Sequence, residues 1–127
     1  MENFVTFELA VKLKERGFPQ SPDCFNYSSY YDWDGLRKIH SLSNASVWFD
    51  PNISRDNIYF APTISQVLKW LRKEKKIHIC VDFDEDMNWY YQIAIYGSTD
   101  IAADGYGYND YEISVLAGIE YVLNNLI

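Results

Sequence analysis

Residues 77–127 contain no lysine and no arginine. Nine Asp and Glu fall in the same stretch, so this part of the surface has no cations of its own with which to meet phosphates. Cysteine is scarce: Cys24 and Cys80 are the only two, too few for a disulfide framework. Four prolines and six glycines in 127 residues exclude a Pro/Gly-rich low-complexity chain. No apolar run approaches the ~18 residues of a membrane span, and residues 1–18 lack the basic start and unbroken apolar stretch of a secretory signal. The expectation is a cytoplasmic protein with no membrane association. Without secretion, the glycosylation-type triplets at Asn26, Asn44 and Asn52 carry no meaning. G-x-S-x-G, Walker A, H-E-x-x-H and C-x-x-C patterns are all missing.

What is present is apolar and aromatic. The length fits one domain, 1–127, able to bury a core without staples. Hydrophobic residues make up 48%, which excludes disorder by composition. Eleven Tyr, seven Phe and four Trp suit sheet faces and binding surfaces alike. Charge is unevenly spread: residues 69–76 hold five of the eleven Lys and Arg and carry +4, while residues 77–127 carry −9. Such asymmetry predicts two surfaces of opposite sign, and surface fields govern partner choice rather than fold.

Periodicity places three helices. Thr6 is a predicted N-cap, Leu9, Ala10 and Leu13 form an apolar stripe, and Gly17-Phe18-Pro19 is a left-handed stop. A second helix over 63–76 opens on the capping box Thr63…Gln66 and buries Ile64, Val67, Leu68 and Leu71. A third begins at Asn109 or Asp110, with Tyr108 placed to staple onto Ile113, and is broadly apolar to the end. Residues 77–83 and 89–96 alternate as strands and pair as an antiparallel hairpin across an acidic turn. A short strand is expected at 101–103, followed by a loop through Gly105, Gly107 and Asn109. Residues 25–33 and 46–49 have strand composition, Asp34-Gly35 and Asp50-Pro51-Asn52 are turn signals, and 58–60 suits a short strand. His40 reads as a surface histidine in a polar loop. The fold class predicted is α+β, a mainly antiparallel sheet of about four to five strands with three helices packed on it.

Three segments, VTFELAVKLKERGF, APTISQVLKWLRKEKKIHICVDF and YEISVLAGIEYVLNNLI, resemble short uncharacterised proteins of Bacteroidetes genomes and their phages and prophages. The resemblance covers the two ends and the centre of the chain. It implies a small intracellular α+β domain from a mobile or phage-related gene, and it assigns no activity and no functional residue.

Four constellations bear on chemistry. Asp82, Asp84, Asp86 and Asn88 imitate the start of a calcium loop, but Met87 stands where glycine is required and Ile93 where a bidentate Glu is required. No metal and no cofactor are therefore expected. His78, Cys80 and Asp82 share one strand face at roughly 6.5 Å spacing, without a fourth ligand or an orienting group. They would be the first suspects in an enzyme, yet the reading is non-enzymatic, with no catalytic residue. Lys69, Trp70, Arg72, Lys73 and Lys76 gather cations and a stacking ring at the end of the second helix, a candidate nucleic-acid site. Asp84, Glu85, Asp86, Tyr90, Tyr96, Tyr106 and Tyr108 lie in the acidic, tyrosine-rich half and are the favoured partner-binding set. Tyrosines anchor interfaces and carboxylates around them steer a basic protein. A binding or accessory module is thus expected, with small nucleic-acid binding as the alternative.

Overall fold

Thr6 and Gly17 bracket the first helix, α1 (Phe7–Glu15), as their sequence positions predict. The Thr6 hydroxyl oxygen accepts the Leu9 N–H at 3.3 Å, satisfying one of the amides a helix start leaves unpaired. Gly17 stands at φ +90°, where a side chain would strain. Beyond it the Phe18 N–H donates to Leu13 O at 2.9 Å and the Gly17 N–H to Lys14 O at 3.2 Å, the paired bonds of a Schellman ending. The computed structural model describes residues 4–20, 27–31, 37–41 and 59–127. The chain divides into two compact units, Met1–Thr63 and Ile64–Ile127.

In the first unit, α1 is followed by β1 (Tyr27–Tyr31), β2 (Arg37–Ser41) and β3 (Tyr59–Phe60). They form an antiparallel sheet in the order β2-β1-β3. The core here joins α1 to β3: Leu9, Ala10, Leu13, Phe18, Phe60 and Ala61 are all buried. Phe18 and Phe60 stack at 6.0 Å between centroids. Gln20 ties the same two residues through their backbones, donating to Phe18 O at 3.0 Å and accepting the Phe60 N–H at 2.8 Å. Tyr59 meets the Phe7 ring edge-on at 5.6 Å, and the Lys14 ammonium lies 4.9 Å from the Tyr59 ring centre. His40 sits in β2, opposite Ser28, and not in the polar loop its neighbours suggested. The strand expected at 46–49 and the turns at 34–35 and 50–52 lie outside the described residues.

The second unit runs α2 (Ile64–Glu74), β4 (Ile77–Phe83), β5 (Trp89–Ile95), β6 (Ile101–Tyr108) and α3 (Tyr111–Asn125). α2 starts directly after Thr63 and buries Ile64, Val67 and Leu71. Lys76 at φ +59° turns the chain into β4. β4 and β5 pair antiparallel from Ile77↔Ile95 to Phe83↔Trp89, and β6 adds to β5 with bulges. Both helices pack on β4, and α3 also on β5 and β6. Ile77, Ile79, Tyr91 and Ile93 therefore point to the helices, while His78, Cys80 and Asp82 alternate away from them and are exposed.

The described strands form two three-stranded antiparallel sheets, β2-β1-β3 and β4-β5-β6. Two expectations change. β6 extends to Tyr108 and takes in Gly105 and Gly107, which were expected in a loop. Gly105 belongs in the strand because it lies opposite Tyr91, whose ring covers it: Tyr91 Cζ lies 2.7 Å and the phenol oxygen 2.9 Å from where a Cβ would stand. The α3 cap is Asp110, accepting the Ile113 N–H at 2.8 Å. That choice shifts the staple register by one residue, and the Tyr108 ring turns instead to Tyr91, 5.8 Å away. The α+β class, with three helices and antiparallel sheets, stands. No described helix is long and apolar enough to cross a membrane.

Tyr91 is the hub of the second unit. Its ring covers Gly105, and Gly118 of α3 brings the helix backbone onto it, with Tyr91 Cγ 3.3 Å from a Cβ position there. Desolvation by burial, then the neighbouring Tyr108, pushes the Tyr91 phenol from 10.0 up to about 12. The folded protein thus holds this proton to higher pH than the unfolded chain does. The resulting stability is whole below pH 10 and is lost as pH rises through about 12. Urea midpoints measured across that window should fall, and Tyr91→Phe should flatten the fall; an equal slope in the variant would contradict the assignment.

Candidate functional site

The β4–β5 hairpin has two ends, and the chain places opposite charge at them. Seven-residue strands separate the ends by roughly 20 Å. At the turn end, Asp84 closes the loop. One of its carboxylate oxygens accepts the Asp86 N–H at 2.9 Å and the Asn88 N–H at 3.0 Å. Met87, at φ +63°, donates its N–H to Asp84 O at 3.1 Å. Asp84 is thereby a turn residue first. Glu85 and Asp86 stand exposed beside it.

An aromatic chain runs from this turn to the start of α3. Phe83 and Trp89 face each other across the hairpin at 5.2 Å, and Tyr111 meets Trp89 edge-on at 5.7 Å. Tyr111 is 46% exposed, and Phe83 is 49% exposed although its alternation puts it on the helix side of the sheet. The reason is that α3 begins at Tyr111, so little of it extends over this end. Met87 and Ile113 add exposed apolar surface, and the Asp110 and Glu112 carboxylates flank Tyr111 in the chain. Sequence reasoning places Tyr111 among the tyrosines of the acidic half but misses Phe83 and Trp89, because alternation assigns both to an apolar face. The signal was the pairing itself, which puts Phe83 opposite Trp89 at the last rung.

The tyrosines of the favoured set divide. Tyr90 and Tyr106 stack at 5.3 Å on the open sheet face, one rung from the acidic turn, and the Tyr106 hydroxyl donates to Asp104 at 3.3 Å. Desolvation, then the Asp82 charge, raises the Tyr90 phenol above its ordinary range. Tyr108 is half-buried against Tyr91. Tyr96 lies at the opposite end of the hairpin, where its N–H donates to Lys76 O at 2.7 Å. The structure therefore groups Asp84, Glu85, Asp86, Tyr90 and Tyr106, and leaves Tyr96 with the cations.

Lys69, Arg72 and Lys73 are exposed on the side of α2 away from Ile64, Val67 and Leu71, and Lys76, also exposed, follows in the turn after the helix. The Lys76 ammonium donates to Lys73 O at 3.1 Å, completing the helix end. Trp70 is half-buried, with the Lys75 ammonium 5.5 Å from its ring centre. His78, Cys80 and Asp82 stand in a row on β4, facing Ala94, Gln92 and Tyr90 across the pairing. Among the described residues no three His, Cys, Asp or Glu side chains converge closely enough to hold a metal ion. Asp82 instead accepts the N–H of its neighbour Phe83 at 2.8 Å. No family model, curated protein or solved structure matches this chain.

Proposed function

We propose that this chain is a non-enzymatic binding or accessory module that meets a basic protein through the acidic, aromatic end of the β4–β5 hairpin. One observation carries the reading: the Phe83–Trp89–Tyr111 chain of part-exposed rings runs from the hairpin turn that carries Glu85 and Asp86 to the start of α3, where Asp110 and Glu112 flank Tyr111 in sequence. Large aromatic anchors ringed by charge match the anatomy of a protein interface, where the rings supply affinity and the rim charges steer encounter. The Tyr90–Tyr106 stack extends the surface onto the open sheet face. The absence of any Lys or Arg from residues 77–127 leaves this field unbroken by cations. The resemblance to short phage and prophage proteins of Bacteroidetes fits a cytoplasmic accessory role.

The test is affinity capture from the native host, analysed for protein and nucleic acid, followed by association kinetics with the captured partner. The combined variant Glu85→Gln/Asp86→Asn/Glu112→Gln spares the turn-closing Asp84 and the cap Asp110. It is expected to slow association several-fold at low salt while dissociation changes little. The difference should shrink near 0.1 M salt, where screening reaches roughly 10 Å. The second reading, nucleic-acid binding, is favoured by the exposed cations Lys69, Arg72 and Lys73 on α2 and Lys76 just beyond it. It requires the reverse result: neutralising Lys69, Arg72, Lys73 and Lys76 would remove binding and flatten its salt slope.

A further inference from the structure

The open end of the hairpin holds a groove of about 550 Å³, within the size range of small-molecule sites. It lies between the end of α2 and the chain after β5, and its lining includes Arg72, Lys76, His78, Ala94, Tyr96 and Ser98. We infer that this groove is a binding site for a small organic phosphate that carries a flat apolar body. The site is distinct from the acidic end proposed above and does not depend on it.

Charge points to the anion. The second unit has five cations, and two of them, Arg72 and Lys76, line this groove. None of the lining residues is Asp or Glu, in a stretch that carries nine of them from residue 77 onward. Neither cation is held by a carboxylate among the described ion pairs. Lys76 gives one N–H to Lys73 O, so two remain for a ligand, and the Arg72 guanidinium offers a planar fork. Two cations with His78 beside them suit a doubly charged phosphate better than a single carboxylate.

Shape and polarity point to the flat body. Ala94 is the smallest side chain of β5, so it leaves room beside His78, its partner across the pairing. Tyr96 is 86% exposed at the rim, a ring free to stack on a planar group. The rim is also fixed: the Tyr96 N–H bonds to Lys76 O, the Ser98 N–H bonds to Ile95 O at 3.0 Å, and Gly97 turns the chain at φ +92°. The backbone positions that carry Lys76 and Tyr96 are thus fixed beside one another before any ligand arrives, which leaves only side chains to be ordered on binding.

Amide NMR titration of the whole chain tests this, with phenyl phosphate, inorganic phosphate and phenol as probes. Phenyl phosphate is expected to shift the amides of residues 76–78 and 94–98 in a saturable way, more tightly than either of the other two. Arg72→Gln should weaken it about tenfold, the loss of one charge-assisted contact. Ala94→Leu, which fills the floor and keeps every charge, should abolish it; an unchanged spectrum elsewhere shows that the variant is folded. Equal affinity for inorganic and phenyl phosphate, shifts spread along α2 that neither variant alters, or no saturation by about 10 mM would each overturn the inference. So would an oligothymidylate that binds the same residues more tightly than phenyl phosphate, since it would assign the groove to nucleic acid.

Discussion

Truncating Phe60 to alanine is expected to lower stability by about 3–5 kcal/mol, the cost of removing a buried aromatic ring and leaving a cavity. Phe60 is 1% exposed and Phe18, stacked on it, 2%. The hole cannot close easily, because the Phe60 and Phe18 backbones are both held by Gln20. Urea denaturation followed by circular dichroism gives the measurement. Phe83→Ala is the matched control: that ring is 49% exposed, and its loss should cost far less, nearer the roughly 0.5 kcal/mol of ordinary surface changes. Similar losses in the two variants would mean that Phe83 is a structural residue and not an available anchor.

Gly105→Ala is expected to destabilise the second unit by about 1–3 kcal/mol through overpacking. A Cβ there meets the Tyr91 ring edge, with Cζ at 2.7 Å. The ring has little room to retreat, since the backbone of α3 at Gly118 approaches it closely, with Tyr91 Cγ 3.3 Å from a Cβ position there. The mechanism predicts coupling. In a Tyr91→Leu background the same substitution should cost much less, a non-additivity expected of residues in contact. Gly107 differs, with nothing within 4 Å of its Cβ position and φ +86°, so its replacement acts through the backbone alone and should be independent of Tyr91. Additive effects of Gly105→Ala and Tyr91→Leu would contradict this packing.

Local signals were legible where a single residue sets the geometry. Thr6 and Gly17 bound α1 as the sequence predicts, and Asp110, one of two candidates, caps α3, because capping depends on short side chains and φ within one turn. The β4–β5 hairpin follows from strict alternation on both sides of an acidic turn. Gly105 reads as loop because glycine is a turn signal, and only the partner strand reveals that Tyr91 covers it. His40 was placed in a loop by its polar neighbours, whereas pairing with β1 makes a strand of residues 37–41. The candidate site was legible in its charges, which sequence counts directly. The anchor Phe83 is not legible there, since its exposure depends on where α3 begins over the sheet. Proximity in the chain groups Tyr96 with the acids, but the antiparallel register carries it to the basic end.

The central claim is that the acidic, aromatic end of the hairpin meets a basic protein. A photo-crosslinking residue placed at Met87, 66% exposed on the turn, samples that end; the same residue at Tyr96, 86% exposed, samples the other. Irradiation in the native host, followed by mass spectrometry, reads which end meets which molecule. The account predicts crosslinks from position 87 to one basic protein, lost with Glu85→Gln/Asp86→Asn/Glu112→Gln, and none to that protein from position 96. Crosslinks to a macromolecule from position 96 alone, or to nucleic acid from either position, would contradict it.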